Sequence, residues 1–239
     1  MQTEDVTAIL EDVEEEKIVK SPKEIIKTVL IWFFIILLCR EIFTNTKEDA
    51  MVIAPYYPEP EQVLLSEPEK QHLRTVIKLK NTEAVIKPQA SYKISARVIA
   101  RTRILGDGIS ELVPYDVGLV WGDLMKNRNY KKLHIHQYQR WITFQASQKD
   151  MDALSRFDVP KHISNNHLIP ANQNILKGIK KLRKYDKVYI EGYLVYCDIS
   201  FKKSPFFEYN SSLSREDSGD HACEIFYVTK IISARGTWQ

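Results

Sequence analysis

The chain has 239 residues, of which 44% are hydrophobic, 10% aromatic and 27% charged, with a formal net charge of +3. This balance excludes a chain that is disordered along its whole length, and it predicts one globular domain with a core rich in β-strand. The sequence has no phosphate-binding loop, dinucleotide fingerprint or nucleophile elbow, which argues against those enzyme classes.

The first 24 residues form an acidic segment. They contain eight carboxylates and three lysines, a net charge of −5, so the remaining residues carry +8. Such a division of charge is typical of an acidic tail joined to a mildly basic domain. Because the segment has few large apolar residues, we expect residues 1 to 24 not to fold alone.

Residues 25 to 43, "IIKTVLIWFFIILLCREIF", predict a single transmembrane helix. The uninterrupted apolar stretch runs only from Val29 to Cys39, shorter than the roughly 20 residues that a spanning helix needs. However, Lys27 and Arg40 can extend to the lipid headgroups, which lets the whole segment span. A cleaved signal peptide lacks its small-residue cleavage site here, and a buried core helix would be separated from the domain by a proline-rich linker.

The lysine and arginine residues around this span predict its orientation. Four lysines precede the span, whereas Arg40 and Lys47 follow it. The positive-inside rule therefore favours a cytoplasmic N-terminus and a large domain on the other side of the membrane.

Residues 44 to 73 are predicted to be a tether. Four prolines fall between residues 54 and 70, namely Pro55, Pro58, Pro60 and Pro68. Proline fixes φ and removes a backbone donor, so this density predicts a stiff extended linker instead of helix or sheet.

Residues 74 to 239 predict a β-rich α+β domain, a curled sheet or small barrel with one or two helices. Two segments read as helices: "SQKDMDALSRF" has Ser147 as N-cap and Asp150 three residues on, and "NQNILKGIKKLRKYD" starts at Asn172. Strands are predicted in "RTVIKLK", "SYKISARVIARTRIL", "VPYDVGLVWG", "YQRWITFQA", "KVYIEGYLVYC" and "ACEIFYVTKII".

The second helix leads directly into "DKVYIEGYLV". This junction resembles the strand that opens many oligonucleotide/oligosaccharide-binding barrels. The resemblance implies that Gly192 permits the sharp coiling of a small barrel.

Three other segments, "VGLVWGDL", "SNNHLIPAN" and "SSLSREDSGDHACE", resemble those of an uncharacterised family of bacterial membrane-anchored proteins with SxNxHLIPA and SLxRxDxGxxACE segments. The resemblance covers residues 91 to 232. It implies a membrane-attached or exported bacterial domain. Together with the charge asymmetry, it predicts an inner-membrane protein whose C-terminal domain is periplasmic. No catalytic residue carries over from that family.

The stretch "ISNNHLIPANQN", residues 163 to 174, is predicted to be a polar loop before the second helix, since Asn side chains satisfy backbone groups in turns and Pro170 disfavours helix before it. We expect His167 to be mainly a structural hydrogen-bonding residue, with a binding or catalytic-base role as the alternatives. The candidate binding residues are Asn165, Asn166, His167, Trp121, Arg215 and Asp217.

Catalytic and metal chemistry have little support in the sequence. Cys223 or Ser212 acting with a histidine would make an envelope hydrolase, but His221 and Cys223 alternate on a predicted strand and do not face each other closely. The pair in "LHIHQ" has no third ligand at a recognisable spacing, so neither a metal nor another cofactor is predicted.

Cys197 and Cys223 lie at the facing ends of two predicted strands. If these strands pair antiparallel, the two thiols fall near the same rung. A disulfide and two free thiols both fit that arrangement.

A basic run between residues 177 and 187 lies on the second helix and after it. Such a run is usually a solvated face, and the absence of interleaved aromatic residues makes nucleic acid an unfavoured partner. By elimination, the sequence predicts a binding or scaffold domain that engages a protein partner in an envelope assembly. The envelope hydrolase and a polyanion-binding barrel are the alternatives.

Overall fold

The computed structural model describes Lys27 and residues 30–33, 57–202, 204–214 and 223–239. The chain forms two compact units, Met1–Asn45 and Thr46–Gln239. In the first unit Lys27 and residues 30–33 are helical. Within the described ranges no helix combines the length and the apolar character needed to cross a membrane. The acidic segment and most of the predicted span lie outside these ranges.

The second unit is built mainly of strands, as the sequence predicted. Within the described residues its α-helices are α1 (Glu67–Leu73), α2 (Gln148–Leu154) and α3 (Gln173–Lys181), and two 3-10 helices span Gly122–Lys132 and Pro160–His162. The strands are β1 (Glu61–Leu64), β2 (Thr75–Lys78), β3 (Thr82–Arg103), β4 (Tyr115–Val120), β5 (His134–Tyr138), β6 (Trp141–Gln145), β7 (Ile163–Pro170), β8 (Lys187–Phe201), β9 (Ser204–Asn210), β10 (Glu224–Ser233) and β11 (Gly236–Trp238).

Five strands pair in a closed cycle. β3 pairs with β4, β4 with β7, β7 with β10, β10 with β8, and β8 again with β3. Only the β7–β10 pair in this cycle is parallel. At 22 residues β3 is long enough to pair with both β8 and β4, which curls the sheet. The β5–β6 hairpin forms a separate two-stranded sheet.

The interior of this curled sheet is an apolar core. The strands contribute large buried side chains that include Tyr92, Leu168 and Phe226, and α3 adds Ile175 and Ile179. These helical residues are one turn apart on the same face, which is the spacing that the sequence showed. A second core of Val, Ile and Leu residues packs on the outer side of the sheet, so central strands are buried on both faces.

Gly192 permits the close approach of β8 to β10. A Cβ at this position would lie 2.0 Å from the carbonyl oxygen of Tyr227. The register shifts between Val228 and Lys230, opposite this glycine. A bulge facing a glycine increases local twist, as expected of a tightly coiled strand.

Residues 61 to 73 do not form the extended tether that the prolines predicted. β1 pairs antiparallel with β3, and α1 begins after Ser66, whose backbone N–H donates to the Glu69 carboxylate at 2.8 Å. Pro68 lies in the first turn of α1, where its missing N–H leaves no intrahelical bond unmade. The folded domain therefore begins before residue 74, and Tyr57 is already buried in it.

Residues 163 to 170 form the central strand β7 and not the predicted loop. Their backbone pairs with β4 on one side and β10 on the other, and Pro170 is the last residue of the strand. Asn is normally disfavoured in strands. Here side-chain hydrogen bonds of Asn165 and Asn166 offset that preference.

The two predicted helices are confirmed, with Asn172 accepting backbone bonds from Asn174 and Ile175 at 2.9 Å each. The predicted strand "YQRWITFQA" is instead the turn and second strand of the β5–β6 hairpin. Gln139 and Arg140 occupy the turn with φ of 46° and 66°. Two consecutive residues with positive φ are typical of a tight hairpin turn.

Candidate functional site

A buried carboxylate and a buried histidine form the centre of the site. Asp116 on β4 and His167 on β7 are opposite each other in the ladder, and the His167 Nδ1 atom lies 2.8 Å from Asp116 Oδ1. Asp116 is 0% exposed and His167 is 3% exposed. An ion or a polar group buried this deeply must be hydrogen-bonded to be stable, so we expect the pair to hold its geometry rigidly.

Arg140 reaches this pair from the β5–β6 turn. Its Nη1 donates to Asp116 Oδ1 at 3.0 Å, its Nη2 donates to the Val113 carbonyl at 3.0 Å, and its Nε donates to Asp107. The Arg140 side chain is only 13% exposed. One guanidinium is thus held between two carboxylates, a group with a formal charge of −1.

Asn165 fixes the hairpin that carries Arg140. Its Nδ2 donates to the Arg140 carbonyl at 2.7 Å, and its Oδ1 accepts from Gln137 Nε2 at 2.7 Å. Gln137 in turn accepts from the Thr102 hydroxyl at 2.8 Å. This chain of bonds joins the hairpin to β3 and β7, so Asn165 positions Arg140 through its backbone.

Tyr209 on β9 covers the histidine. Its ring centroid lies 5.5 Å from that of His167 and 5.8 Å from that of Phe207, so three rings form a row from the surface to the buried pair. Burial raises the pKa of the Tyr209 phenol well above its ordinary value, and the Asp116 charge adds to that rise, whereas Arg140 opposes it. The phenol therefore stays protonated.

A cavity of about 550 Å³ opens above this group. We call it the aromatic cavity. Phe206 and Phe207 on its wall are 57% and 43% exposed, an unusual position for two neighbouring large apolar side chains. The cavity is lined by Asp107, Gly108, Ile109, Arg140, Phe201, Phe206, Phe207 and Tyr209.

Of the four predicted binding residues that the structure describes, two lie in this group, Asn165 and His167. Asn166 is buried and donates to the Val117 carbonyl at 3.2 Å and to the Ser164 hydroxyl at 2.8 Å. Trp121 belongs to the interior core, and its indole N–H donates to Glu59 at 2.9 Å. These contacts give both residues structural roles. Two other predicted binding residues, at positions 215 and 217, lie outside the described residues.

Sequence reasoning missed Asp116, Arg140, Tyr209 and the two phenylalanines. Asp116 is the polar residue inside the apolar run "VPYDVGLV", and that position was the available signal. A charged residue in a buried strand needs a partner, but the partner is fixed only by the register of β4 against β7.

Cys197 and Cys223 are not joined by a disulfide. β8 and β10 do pair antiparallel, with Phe226 opposite Leu194, so continued pairing would have placed the cysteines on one rung. Instead β9 is the strand that pairs with β8 at Cys197, and Tyr209 lies opposite this cysteine. Burial raises the pKa of the Cys197 thiol to about 12, which keeps it protonated and unreactive.

The arrangements proposed for a hydrolase or a metal gain no support from the described side chains. The Ser212 hydroxyl donates to the Ser214 carbonyl at 3.0 Å, a local turn contact. The described ranges contain no group of three His, Cys, Asp or Glu side chains close enough to hold a metal ion.

Comparisons of this chain with protein-family models, with curated proteins and with solved structures find no match.

Proposed function

We propose that this chain is a membrane-anchored binding domain that holds a segment of a protein partner in the aromatic cavity. The observation that carries the proposal is the position of the cavity relative to the closed cycle of strands. The cavity lies where two connections of the cycle meet, above the buried Asp116 and His167 pair.

The order of the strands supports a binding role. In chain order the cycle consists of β3, β4, β7, β8 and β10; its third and fifth strands are parallel, and α3 connects the third to the fourth. This order resembles that of a five-stranded oligonucleotide/oligosaccharide-binding barrel. Barrels of that kind bind ligands on their second and third strands and on the loops that join strands one to two and four to five.

The aromatic cavity is formed by those same connections. Asp107 and Gly108 come from the connection between β3 and β4, whereas Phe206, Phe207 and Tyr209 come from the connection between β8 and β10. The second and third strands of the cycle supply the buried pair beneath. Such agreement between topology and cavity supports a ligand site at this position.

The chemistry of the cavity favours a protein segment. Exposed phenylalanines on its wall can bury an apolar side chain of a partner, at roughly 25 cal/mol for each Å² removed from water. Because two carboxylates surround Arg140, the wall carries a formal charge of −1, which disfavours an anionic polymer here.

Burial of the Asp116–His167 pair favours binding over hydrolysis. A general base must come within hydrogen-bond reach of its substrate, but His167 is covered by Tyr209 and is 3% exposed. The pair instead holds Arg140 at the cavity wall. These contacts are the reason why we prefer a binder to an enzyme.

The first unit supports membrane attachment. Leu30, Ile31, Trp32 and Phe33 are helical and all at least half exposed, which suits side chains that contact lipid. The excess of lysine before residue 28 supports a cytoplasmic N-terminus and a periplasmic domain.

Site-specific photocrosslinking in native membranes tests the proposed binding site. We expect a photoreactive phenylalanine analogue at Phe206 in the full chain to give a discrete crosslinked protein. The same analogue at Met151, an exposed residue of α2 that does not line the cavity, is the matched control. Crosslinks of equal yield from both positions, or none from Phe206, would contradict the assignment of the cavity.

A further inference from the structure

A second surface of the domain gathers lysines around aromatic rings. Lys131 and Lys184 both lie over the ring of Tyr185, with their Nζ atoms 5.7 Å and 5.2 Å from its centroid. Tyr185 has φ of 72° and is 40% exposed, and its ring also contacts Tyr130 at 5.7 Å between centroids. Lysines from two distant parts of the chain thus meet at one exposed tyrosine.

The same pattern continues beside it. Lys187 Nζ lies 5.9 Å from the ring centroid of Tyr57, and Arg97 lies over both Tyr57 and Tyr130 at 6.0 Å and 5.4 Å. Each contact is within the range of a cation–π interaction. We call Lys131, Lys184, Lys187, Arg97 and Tyr185 the basic surface. The sequence did not reveal it because its aromatic residues come from three separate segments.

Two acidic side chains that are close in sequence to these residues, Asp186 and Glu59, are bonded to other partners. Asp186 accepts from Arg235 at 2.7 Å and 3.1 Å. Glu59 bonds to Trp121 at 2.9 Å and lies 3.1 Å from His162. Lys131, Lys184 and Lys187 are exposed, and their charges attract anions to this surface.

The first described residue of the second unit lies at this surface. Tyr57, at which the described part of the domain begins, packs against Arg97 and Lys187. The predicted span ends at residue 43, and fully extended chain from 43 to 57 reaches at most about 50 Å. Tyr57 can therefore lie no farther than this from the end of the predicted span.

We propose that the basic surface binds the anionic phospholipid headgroups of the membrane to which the chain is anchored, an inference that rests on the proposed anchoring. Lysines close to a bilayer surface are attracted by acidic lipid, and tyrosine is common at that interface. The rings of Tyr57 and Tyr130 are buried and position the cations, so Tyr185 is the one exposed ring of this group. A single exposed ring is a poor platform for the stacking of successive bases. Lipid phosphate therefore fits this surface better than nucleic acid.

Docking by this surface would direct the aromatic cavity away from the membrane. Lys187 pairs with Arg97 at one end of the β3–β8 ladder, and Phe201 pairs with Thr82 at the other end. β8 has 15 residues, which corresponds to about 45 Å of strand. Phe201 lines the cavity, so a partner could reach the cavity while the basic surface rests on lipid.

Energy transfer in nanodiscs tests the docking. The full chain, with a fluorescent amino acid at Met151, is reconstituted into discs of phosphatidylcholine alone or mixed with phosphatidylglycerol, each carrying an acceptor-labelled lipid. We expect higher transfer in the anionic discs and a return to the neutral value at high salt. Each lysine lost should weaken docking about fivefold, so the triple variant K131Q/K184Q/K187Q should weaken it about a hundredfold.

The matched control is K78Q/K80Q/K202Q, which removes the same charge near the cavity end of the ladder and should leave the transfer unchanged. Equal transfer in neutral and anionic discs would overturn the proposal, as would equal loss in both triple variants. Saturable binding of a single-stranded oligonucleotide that requires the three lysines, without a response to phosphatidylglycerol, would assign the surface to nucleic acid instead. The crosslinking at Phe206 decides the proposed function separately.

Discussion

Replacing Arg140 by Met should destabilise the domain strongly, because it leaves a buried carboxylate without its cation. Asp116 is 0% exposed, and its Oδ1 accepts from Arg140 Nη1 at 3.0 Å. Removing one partner of a buried ion pair costs about 3–5 kcal/mol. For a domain of this size, that corresponds to a melting temperature lower by roughly 6–20 °C.

Lys87→Met is the matched control. The Lys87 ammonium lies 2.6 Å from Asp198, but both side chains are more than a fifth exposed, so this change should cost less than about 1 kcal/mol. Thermal unfolding of the full chain in detergent, followed by circular dichroism, gives both values.

A third variant measures the effect of the Asp116 charge alone. Asp116→Asn in the Arg140→Met background should recover part of the loss, since the uncompensated charge is removed. If Arg140→Met costs no more than Lys87→Met, the buried ion pair does not hold the site together, and the reasoning is refuted.

Three further predictions concern the folded domain. Asn172→Ala should cost about 1 kcal/mol because it removes the cap of α3, while Asn172→Ser should retain most of the stability; urea unfolding measures both. Gly192→Ala should prevent native folding or cost several kcal/mol, since its Cβ would lie 2.0 Å from the Tyr227 carbonyl oxygen; a native melting temperature would contradict the close approach. Burial raises the pKa of Cys197 and Tyr189 to about 12 each, so both groups stay protonated in the folded protein at a pH where they ionise in the unfolded chain. Their contribution to the free energy of unfolding is therefore fully present below pH 9 and is lost as the pH rises to 12. Unfolding free energies measured across that interval should fall, less steeply in Cys197→Val, and a flat profile would show that these groups are accessible.

Local sequence patterns predicted the helices and strands that are stabilised by residues close to one another in the sequence. The caps Ser147 and Asn172 gave the starts of two helices, and the β-branched and aromatic run in "KVYIEGYLVYC" gave β8. The polar content of "ISNNHLIP" concealed β7, because its side-chain partners come from β4, from the hairpin and from the Ser164 hydroxyl of the same strand. A strand that obtains its hydrogen bonds over long sequence distances has no local signature.

The candidate site was less predictable than the fold. His167 could be singled out by residue type, but its partner Asp116 is 51 positions away. Arg140 was assigned to a strand interior, and only the hairpin turn directs it to the buried pair. The register of separate strands determines which of these side chains come into contact, and that register depends on the whole domain.

Recovery of a partner from native membranes tests the central claim most directly. The exposed Phe207, which belongs to none of the apolar cores, is replaced by Glu, which places a charge on the wall of the aromatic cavity. Met151→Glu introduces the same charge on α2. We predict that the protein crosslinked from Phe206 is recovered at least about tenfold less with Phe207→Glu and unchanged with Met151→Glu. Equal recovery with both variants would contradict a binding site in the cavity.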